Sequence, residues 1–204
     1  MCDRSGIGDL IEAASDGASF LISGPPLTGK YDLLVQLLSA GRAIAVSTDT
    51  DVTTLRADFG ELSNPELLSV VDCASRARGV ETPELDGVRY VPGPGNLTRI
   101  GTAFTTLLDQ HSDEPIRVGL HSISPLLMYA ELRSVYRFLQ VFTGQVQSAG
   151  GLCIGTFDPT MHDDSTVNTV LDPFDARVET RIHEGTREAR VTGLDPESSD
   201  WLAF

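Results

Sequence analysis

The stretch that decides the fold is Ala18-Ser-Phe-Leu-Ile-Ser-Gly-Pro-Pro-Leu-Thr-Gly-Lys30. Its first six residues predict a short strand, and Gly24–Lys30 then fits the pattern G-x-x-x-x-G-K, a loop whose backbone N–H groups hold phosphates. The segment Asp32–Ser39 follows with leucines at helical spacing. Strand, loop and helix in this order are the context that the motif requires. We therefore predict a phosphate site formed by Gly24, Pro25, Pro26, Leu27, Thr28, Gly29, Lys30 and Tyr31.

Lys30 is the only lysine of the chain, and the remaining fourteen of the fifteen Lys and Arg residues are arginines. A lysine ammonium fits beside the β- and γ-phosphates of a nucleotide as a compact point charge. The alternative is an ordinary glycine turn with a lysine facing solvent. The motif context favours the phosphate site, and the predicted ligand is ATP or ADP.

Two positions that hold Mg²⁺ in phosphate-transfer proteins are altered. Tyr31 stands where the motif has Ser or Thr, whose hydroxyl binds the metal. The predicted strand Ile116–Leu120 ends in His121, where an acid is expected, and histidine is a poor ligand for Mg²⁺. Tyr31 either packs against the helix or stacks on a neighbour, and His121 is either a buried, hydrogen-bonded histidine or a catalytic one. The sequence predicts no metal-binding residue, and the need for Mg²⁺ stays open.

The rest of the chain alternates strand and helix patterns, which predicts an α/β fold. Further strands are predicted at 43–47, 68–72, 88–91, 116–120 and 151–157, and helices at 96–110 and from Ser124-Pro125 to about Ala149. Residues 176–194 read as two strands around Glu184-Gly185. The sequence therefore predicts one domain, residues 1–204, with a mostly parallel central sheet flanked by helices and a C-terminal antiparallel hairpin.

Composition narrows the classes of partner. A net charge of −14 and a pI near 4.5 disfavour binding to nucleic acid and to membrane surfaces. No run approaches the roughly 18 apolar residues of a membrane span. Three cysteines without C-x-x-C spacing, and acids where a signal peptide needs basic residues, predict a reduced, cytoplasmic setting.

The chain resembles the RecA superfamily of P-loop ATPases, in particular small KaiC-like proteins of the RadA/KaiC branch in salt-adapted archaea. The resemblance covers nearly the full length and rests on five segments: Ile22–Lys30, Arg42–Asp49, Val118–Leu127, Gly151–Pro159 and Phe174–Glu179. It implies a RecA-like P-loop NTPase fold with ATP as ligand.

The same resemblance assigns further positions. Asp49 falls where an acid polarises the attacking water, and it is the candidate catalytic base, with an N-cap or turn acid as the alternative. The metal-holding Asp of the family maps onto His121. Asp158 matches the place that senses the γ-phosphate, but a carboxylate repels phosphate, and a turn with Pro159 explains Asp158 better.

Two clusters of charged residues have a second interpretation. The acids and histidine of 158–164 superficially resemble a metal cluster, but Asp163 or Asp164 at a helix N-terminus explains them better. In the family, arginines of the hairpin reach toward a neighbouring subunit's nucleotide. Here they read equally well as solvated strand faces: Arg177, Arg181, Arg187 and Arg190.

Three functions remain open from the sequence. The first is a nucleotide-binding protein with weak or absent hydrolysis that regulates or scaffolds a protein partner or a homo-oligomer. The second is a working Mg²⁺-dependent ATPase whose metal site is rebuilt from groups such as Asp49 and Ser122. The third is an interaction module that no longer binds nucleotide.

Overall fold

The computed structural model describes residues 6–13, 17–111, 115–193 and 200–204. Its strands are β1 Ser19–Ser23, β2 Ala43–Ser47, β3 Leu68–Asp72, β4 Val88–Tyr90, β5 Arg117–His121, β6 Leu152–Phe157, β7 Ala176–His183, β8 Thr186–Thr192 and β9 Leu202–Ala203. They form one sheet in the order β4-β3-β2-β5-β6-β1-β7-β8-β9. The strands from β4 to β7 in this order run parallel, and β8 and β9 add antiparallel pairs at one edge. The predicted mostly parallel sheet with a C-terminal antiparallel hairpin is therefore confirmed.

Helices cover both faces of the sheet. They are α1 Gly6–Ala13, α2 Lys30–Leu38, α3 Val52–Gly60, α4 Leu97–Asp109, α5 Ile123–Tyr129, α6 Leu132–Ser148 and α7 Asp164–Leu171. Short 3₁₀ turns lie at Pro65–Leu67, Arg76–Arg78 and Pro159–Met161. None of the helices in the described part of the chain has the length and apolar character to cross a membrane.

The core consists of two layers of apolar side chains, one on each face of the sheet. In β1, Phe20 and Ile22 join the layer that includes Leu33 and Leu34 of α2, whereas Leu21 joins the layer of α4, α5 and α6. Strands buried on both faces need apolar residues throughout, which is why the central strands read as continuous hydrophobic runs. The carboxyl ends of the parallel strands therefore lie together at one edge of the sheet, and the polar residues of the candidate site follow them.

The single long helix predicted from Ser124 to Ala149 is wrong. Two helices occupy this region, because Ala130 and Glu131 have extended backbone angles between α5 and α6. No glycine or proline marks the break, so packing rather than local sequence imposes it. Pro125 lies in the first turn of α5, where its missing N–H needs no partner. The predicted cap residue, Ser124, lies within that turn, and Ser122 precedes the helix.

Several shorter elements were not predicted. Helix α3 begins after Asp51, whose carboxylate accepts hydrogen bonds from the N–H groups of Thr53 and Thr54 at 3.0 Å each. Helix α1 and strand β9 were also missed. The hairpin turn at Glu184-Gly185 is confirmed, with φ angles of 50° and 79° that match a two-residue turn. Leu194, the predicted end of that hairpin, lies outside the described residues, as does Cys2.

Candidate functional site

Four parallel strands end at the same edge of the sheet and carry the residues that the sequence singles out. The segments after β1, β2, β5 and β6 begin at Gly24, Thr48, Ser122 and Asp158, and β5 and β6 lie between β2 and β1. Ligands of open parallel sheets bind at the carboxyl ends of the strands, where the strand order reverses. The chain passes from β1 to β2 across two intervening strands, so the site lies at such a point.

The loop between β1 and α2 makes a tight turn with two residues in the left-handed region. Gly29 has a φ of 86°, and Leu27 at the crest has a φ of 65° with 84% of its surface exposed. A positive φ is uncommon in a leucine and marks a backbone that its surroundings hold in place. Pro25 and Pro26 have no N–H group, so the amides available to an anion run from Leu27 to Tyr31.

Strand β7 fixes this loop from the side. The hydroxyl of Thr28 donates to the carbonyl of Pro25 at 2.8 Å and lies 2.7 Å from the hydroxyl of Thr180. A Cβ atom on Gly24 would lie 2.2 Å from Oγ1 of Thr180, so only glycine fits there. The sequence pattern does not single out Thr180, although it is the polar member of the buried series Ala176, Val178 and Thr180 in β7.

Lys30 lies over its own loop. Its Nζ donates to the carbonyl oxygens of Gly24 and Pro25 at 2.6 Å each. Partial burial lowers the pKa of the Lys30 ammonium, and the attraction of Asp158 opposes that shift. Two loop carbonyl oxygens therefore hold the ammonium at the loop. An incoming phosphate would replace these carbonyls as the acceptor of the ammonium's hydrogen bonds.

Tyr31 turns its hydroxyl away from a metal-binding role. The hydroxyl donates to Oδ2 of Asp58 on α3 at 2.6 Å, and the ring lies 4.9 Å from the imidazole of His121. Burial, together with the hydrogen bond to Asp58, raises the pKa of the Tyr31 phenol. The phenol thus links α2 to α3 and packs against the histidine.

His121 is partly buried at the end of β5, with 15% of its side chain exposed, and it contacts two partners. Its Nδ1 lies 2.8 Å from Oγ1 of Thr156 on β6, and its Nε2 lies 3.2 Å from Oδ1 of Asp49. Burial lowers the pKa of His121, the attraction of Asp49 opposes this, and the repulsion of Lys30 adds to it. We assign the neutral imidazole with its proton on Nε2, because a carboxylate only accepts and a threonine hydroxyl can donate to Nδ1.

The residues at these two positions do not fit Mg²⁺. The metal prefers hard oxygen ligands in octahedral geometry, whereas the chain offers an imidazole and a phenol that is bonded elsewhere. No group of three or more His, Cys, Asp and Glu residues within the described ranges is arranged to hold a metal ion. Asp49, the candidate base, has one carboxylate oxygen beside the imidazole.

The acids after β6 serve the backbone. Asp158 accepts from the N–H of Thr160 at 3.0 Å and from its hydroxyl at 2.6 Å, and Asp163 accepts from the N–H of Thr166 at 2.7 Å at the start of α7. The prediction of a turn and a helix cap in this segment is confirmed. His162 stacks on Phe157, with ring centroids 5.1 Å apart.

The hairpin arginines are partly exposed to solvent and are paired with acids of the same chain. Arg181 lies 2.7 Å from Glu188, Arg190 lies 2.5 Å from Glu179, and Arg177 lies 3.2 Å from Glu179. Arg187 pairs with Asp32 of α2. Trp201 stacks against the guanidinium groups of Arg181 and Arg190, at 3.9 and 4.6 Å from the ring centre. These contacts, together with Phe204 beside Gly29, tie the C-terminal segment to the loop.

Comparison with known proteins identifies a family but no activity. No curated protein matches the chain significantly. A crystal structure of an uncharacterised protein from Pyrococcus horikoshii, in complex with an unknown peptide, is similar in fold. It has a TM-score of 0.64 and 14% identity over 97% of this chain and 98% of that one. A model of a family of unknown function, DUF7504, matches residues 17–180. Since that match spans most of the sequence, the chain belongs to the DUF7504 family.

Proposed function

We propose that this protein has a RecA-like P-loop fold and binds a nucleotide, ATP or ADP, at the loop Gly24–Tyr31, with weak or absent hydrolysis. The observation that carries the proposal is the loop itself. It joins a central parallel strand to a helix, its glycines sit where a Cβ cannot, and the only lysine of the chain lies over it. Backbone amides and the positive end of α2 would hold the phosphates, and Lys30 would exchange its loop carbonyls for phosphate oxygens.

Weak hydrolysis follows from the surroundings of the loop. Hydrolysis by P-loop proteins needs a metal ion that neutralises charge and a group that orients the attacking water. The side chains at the metal positions do not suit Mg²⁺, and one oxygen of the Asp49 carboxylate lies beside His121. A protein that binds but scarcely turns over nucleotide is suited to regulation or scaffolding. The peptide bound to the protein from Pyrococcus horikoshii supports proposing a protein partner here.

Calorimetric titration with ATP and ADP tests nucleotide binding. The wild-type protein should give saturable heat, and Lys30→Ala should lose most of it. Arg99→Ala is the matched control, because it removes one exposed positive charge from α4 and leaves the loop intact. Equal heats for the wild type and Lys30→Ala would contradict the proposal that the loop binds nucleotide.

Steady-state ATP turnover tests the second half of the proposal. We expect little or no phosphate release above the buffer rate, with or without Mg²⁺. Robust turnover that disappears in Lys30→Ala would show a working ATPase and contradict the proposal.

A further inference from the structure

The loop and His121 form one electrostatic unit. Tyr31, the neighbour of Lys30, lies with its ring 4.9 Å from the imidazole. The groups that act on His121 come from each element packed against it: Lys30 and Tyr31 from α2, Asp49 from the segment after β2, and Thr156 from β6. A change of charge at the loop is therefore felt at His121.

The formal charge of this unit depends on one proton. With a neutral imidazole, Lys30 is the positive group of the loop; the Asp158 carboxylate acts on Lys30, and the Asp49 carboxylate lies beside His121. An imidazolium adds one positive charge to this set. A polyphosphate without a metal ion would be repelled by the first state and accepted more readily by the second, since nearby like charges cost free energy.

We propose that the site takes the polyphosphate tail of a nucleotide without Mg²⁺, and that the His121 imidazolium supplies the positive charge that the metal ion brings in related sites. This inference rests on the proposed nucleotide binding. The proton comes from solvent and binds Nδ1, the ring nitrogen that carries no proton in the neutral form. Binding then takes up a proton, and Thr156 and Asp49 remain as partners that hold the ring in place.

The geometry suits this exchange. When His121 is neutral, its Nδ1 accepts from the hydroxyl of Thr156, and this hydroxyl can rotate and accept from a protonated Nδ1 instead. Asp49 stays bonded to the Nε2 proton and becomes a full ion-pair partner. Apart from this rotation of the Thr156 hydroxyl, no side chain has to move for the site to change its charge. Thermodynamic linkage then requires affinity to fall as pH rises above the range in which the complex holds the extra proton.

The test is calorimetric titration of the folded, full-length protein with ATP near pH 7.5, in excess EDTA and in excess Mg²⁺. Each titration is run in two buffers with different ionisation enthalpies, so that the heat reports proton uptake. His121→Gln is the variant, because its amide nitrogen can still donate to Asp49 but cannot carry a charge. The γ-phosphate of ATP has the same protonation behaviour with both proteins, so the difference between them isolates His121.

We expect the wild type to bind ATP in EDTA at least as well as in Mg²⁺, with net proton uptake. His121→Gln should bind about tenfold more weakly in EDTA, as expected for the loss of one close charge interaction, and should lose the extra uptake. Binding only with Mg²⁺, or equal proton uptake by both proteins, would overturn this inference and leave nucleotide binding standing. Absence of ATP binding under all conditions would overturn the proposed function and this inference with it.

Discussion

Oδ1 of Asp49 lies 3.2 Å from Nε2 of His121, so the candidate catalytic acid and the residue at the expected metal position are joined to each other. Oδ1 of Asp49 cannot take a proton from water without first giving up its contact with the imidazole. The pair therefore links the two departures from an ATPase site into one arrangement.

The partial burial of His121 predicts how the free energy of unfolding depends on pH. Burial lowers its pKa below the ordinary value of 6.5, so between the folded and unfolded pKa values the unfolded chain binds more protons. The stability that the neutral His121 contributes to the fold is fully present above about pH 6.5. It is lost as the pH falls through the pKa of His121 in the folded protein. We expect the free energy of unfolding, from urea titrations at several pH values, to fall below pH 6.5. In His121→Gln this fall should be smaller, and an equal fall in both proteins would contradict the prediction.

Replacement of Gly24 by alanine should damage the loop. The new Cβ would lie 2.2 Å from Oγ1 and 2.5 Å from the carbonyl oxygen of Thr180, and a backbone atom cannot yield easily. We expect a loss of about 2 kcal/mol or more in the free energy of unfolding, as for other overpacked sites.

Gly144→Ala on α6 is the matched control for Gly24→Ala. A Cβ at Gly144 meets nothing within 4 Å, and alanine favours the interior of a helix. This variant should gain up to about 1 kcal/mol in the same urea experiment. Similar values for the two variants would show that the contact between Gly24 and Thr180 does not constrain the loop.

The loop and its flanking strand and helix were predictable because their signals are local. Gly24 and Gly29 stand at fixed spacing, and the apolar run before them and the leucines after them decide strand and helix by pattern alone. The hairpin turn at Glu184-Gly185 was predictable for the same reason. These elements depend on residues that are neighbours in the chain.

The partners inside the site were not predictable, since they come from distant segments. Thr156 meets His121 across 35 residues, and Asp58 meets Tyr31 across 27. Threonine and aspartate at those positions fit many roles, and only the order of the strands brings them together. The break between α5 and α6 has no glycine or proline to mark it, and helix α3 has mixed polarity that conceals its buried face.

Tyr31→Phe tests the link between α2 and α3. The change removes the hydroxyl that donates to Asp58 at 2.6 Å and keeps the ring beside His121. The expected loss is about 1 kcal/mol in the free energy of unfolding, a usual value for one partly buried hydrogen bond.

The control for Tyr31→Phe is Tyr136→Phe. Tyr136 donates to Asp172 at 2.8 Å on an exposed surface, where water replaces the lost bond. The melting temperature of Tyr136→Phe should therefore differ less from that of the wild type than the melting temperature of Tyr31→Phe does. A larger change in Tyr136→Phe would mean that the phenol of Tyr31 does not hold the two helices together.

The buried carboxylate of Asp72 should be the costliest of these side chains to alter. It accepts from the N–H groups of Val52 at 2.9 Å and of Ala74 and Ser75 at 2.8 Å, and from the hydroxyl of Ser75 at 2.6 Å. In Asp72→Asn, one oxygen becomes an NH₂ group that faces a donor, so at least one buried N–H loses its acceptor. We expect a loss of about 2–3 kcal/mol.

Asp51→Asn separates the effect of burial from that of the aspartate-to-asparagine change itself. Asp51 caps α3 with the same kind of bonds, to the N–H groups of Thr53 and Thr54, but its side chain is exposed to solvent there. Asparagine caps helices about as well as aspartate, so the free energy of unfolding should barely change. If urea titration gave equal losses for the two variants, the Asp72 carboxylate would not be the group that joins the end of β3 to the start of α3.

Because α3 presents Asp58 to Tyr31, a loosened α3 in Asp72→Asn should also weaken the support of the phosphate loop. Its affinity for ATP should then fall along with its stability, whereas that of Asp51→Asn should not.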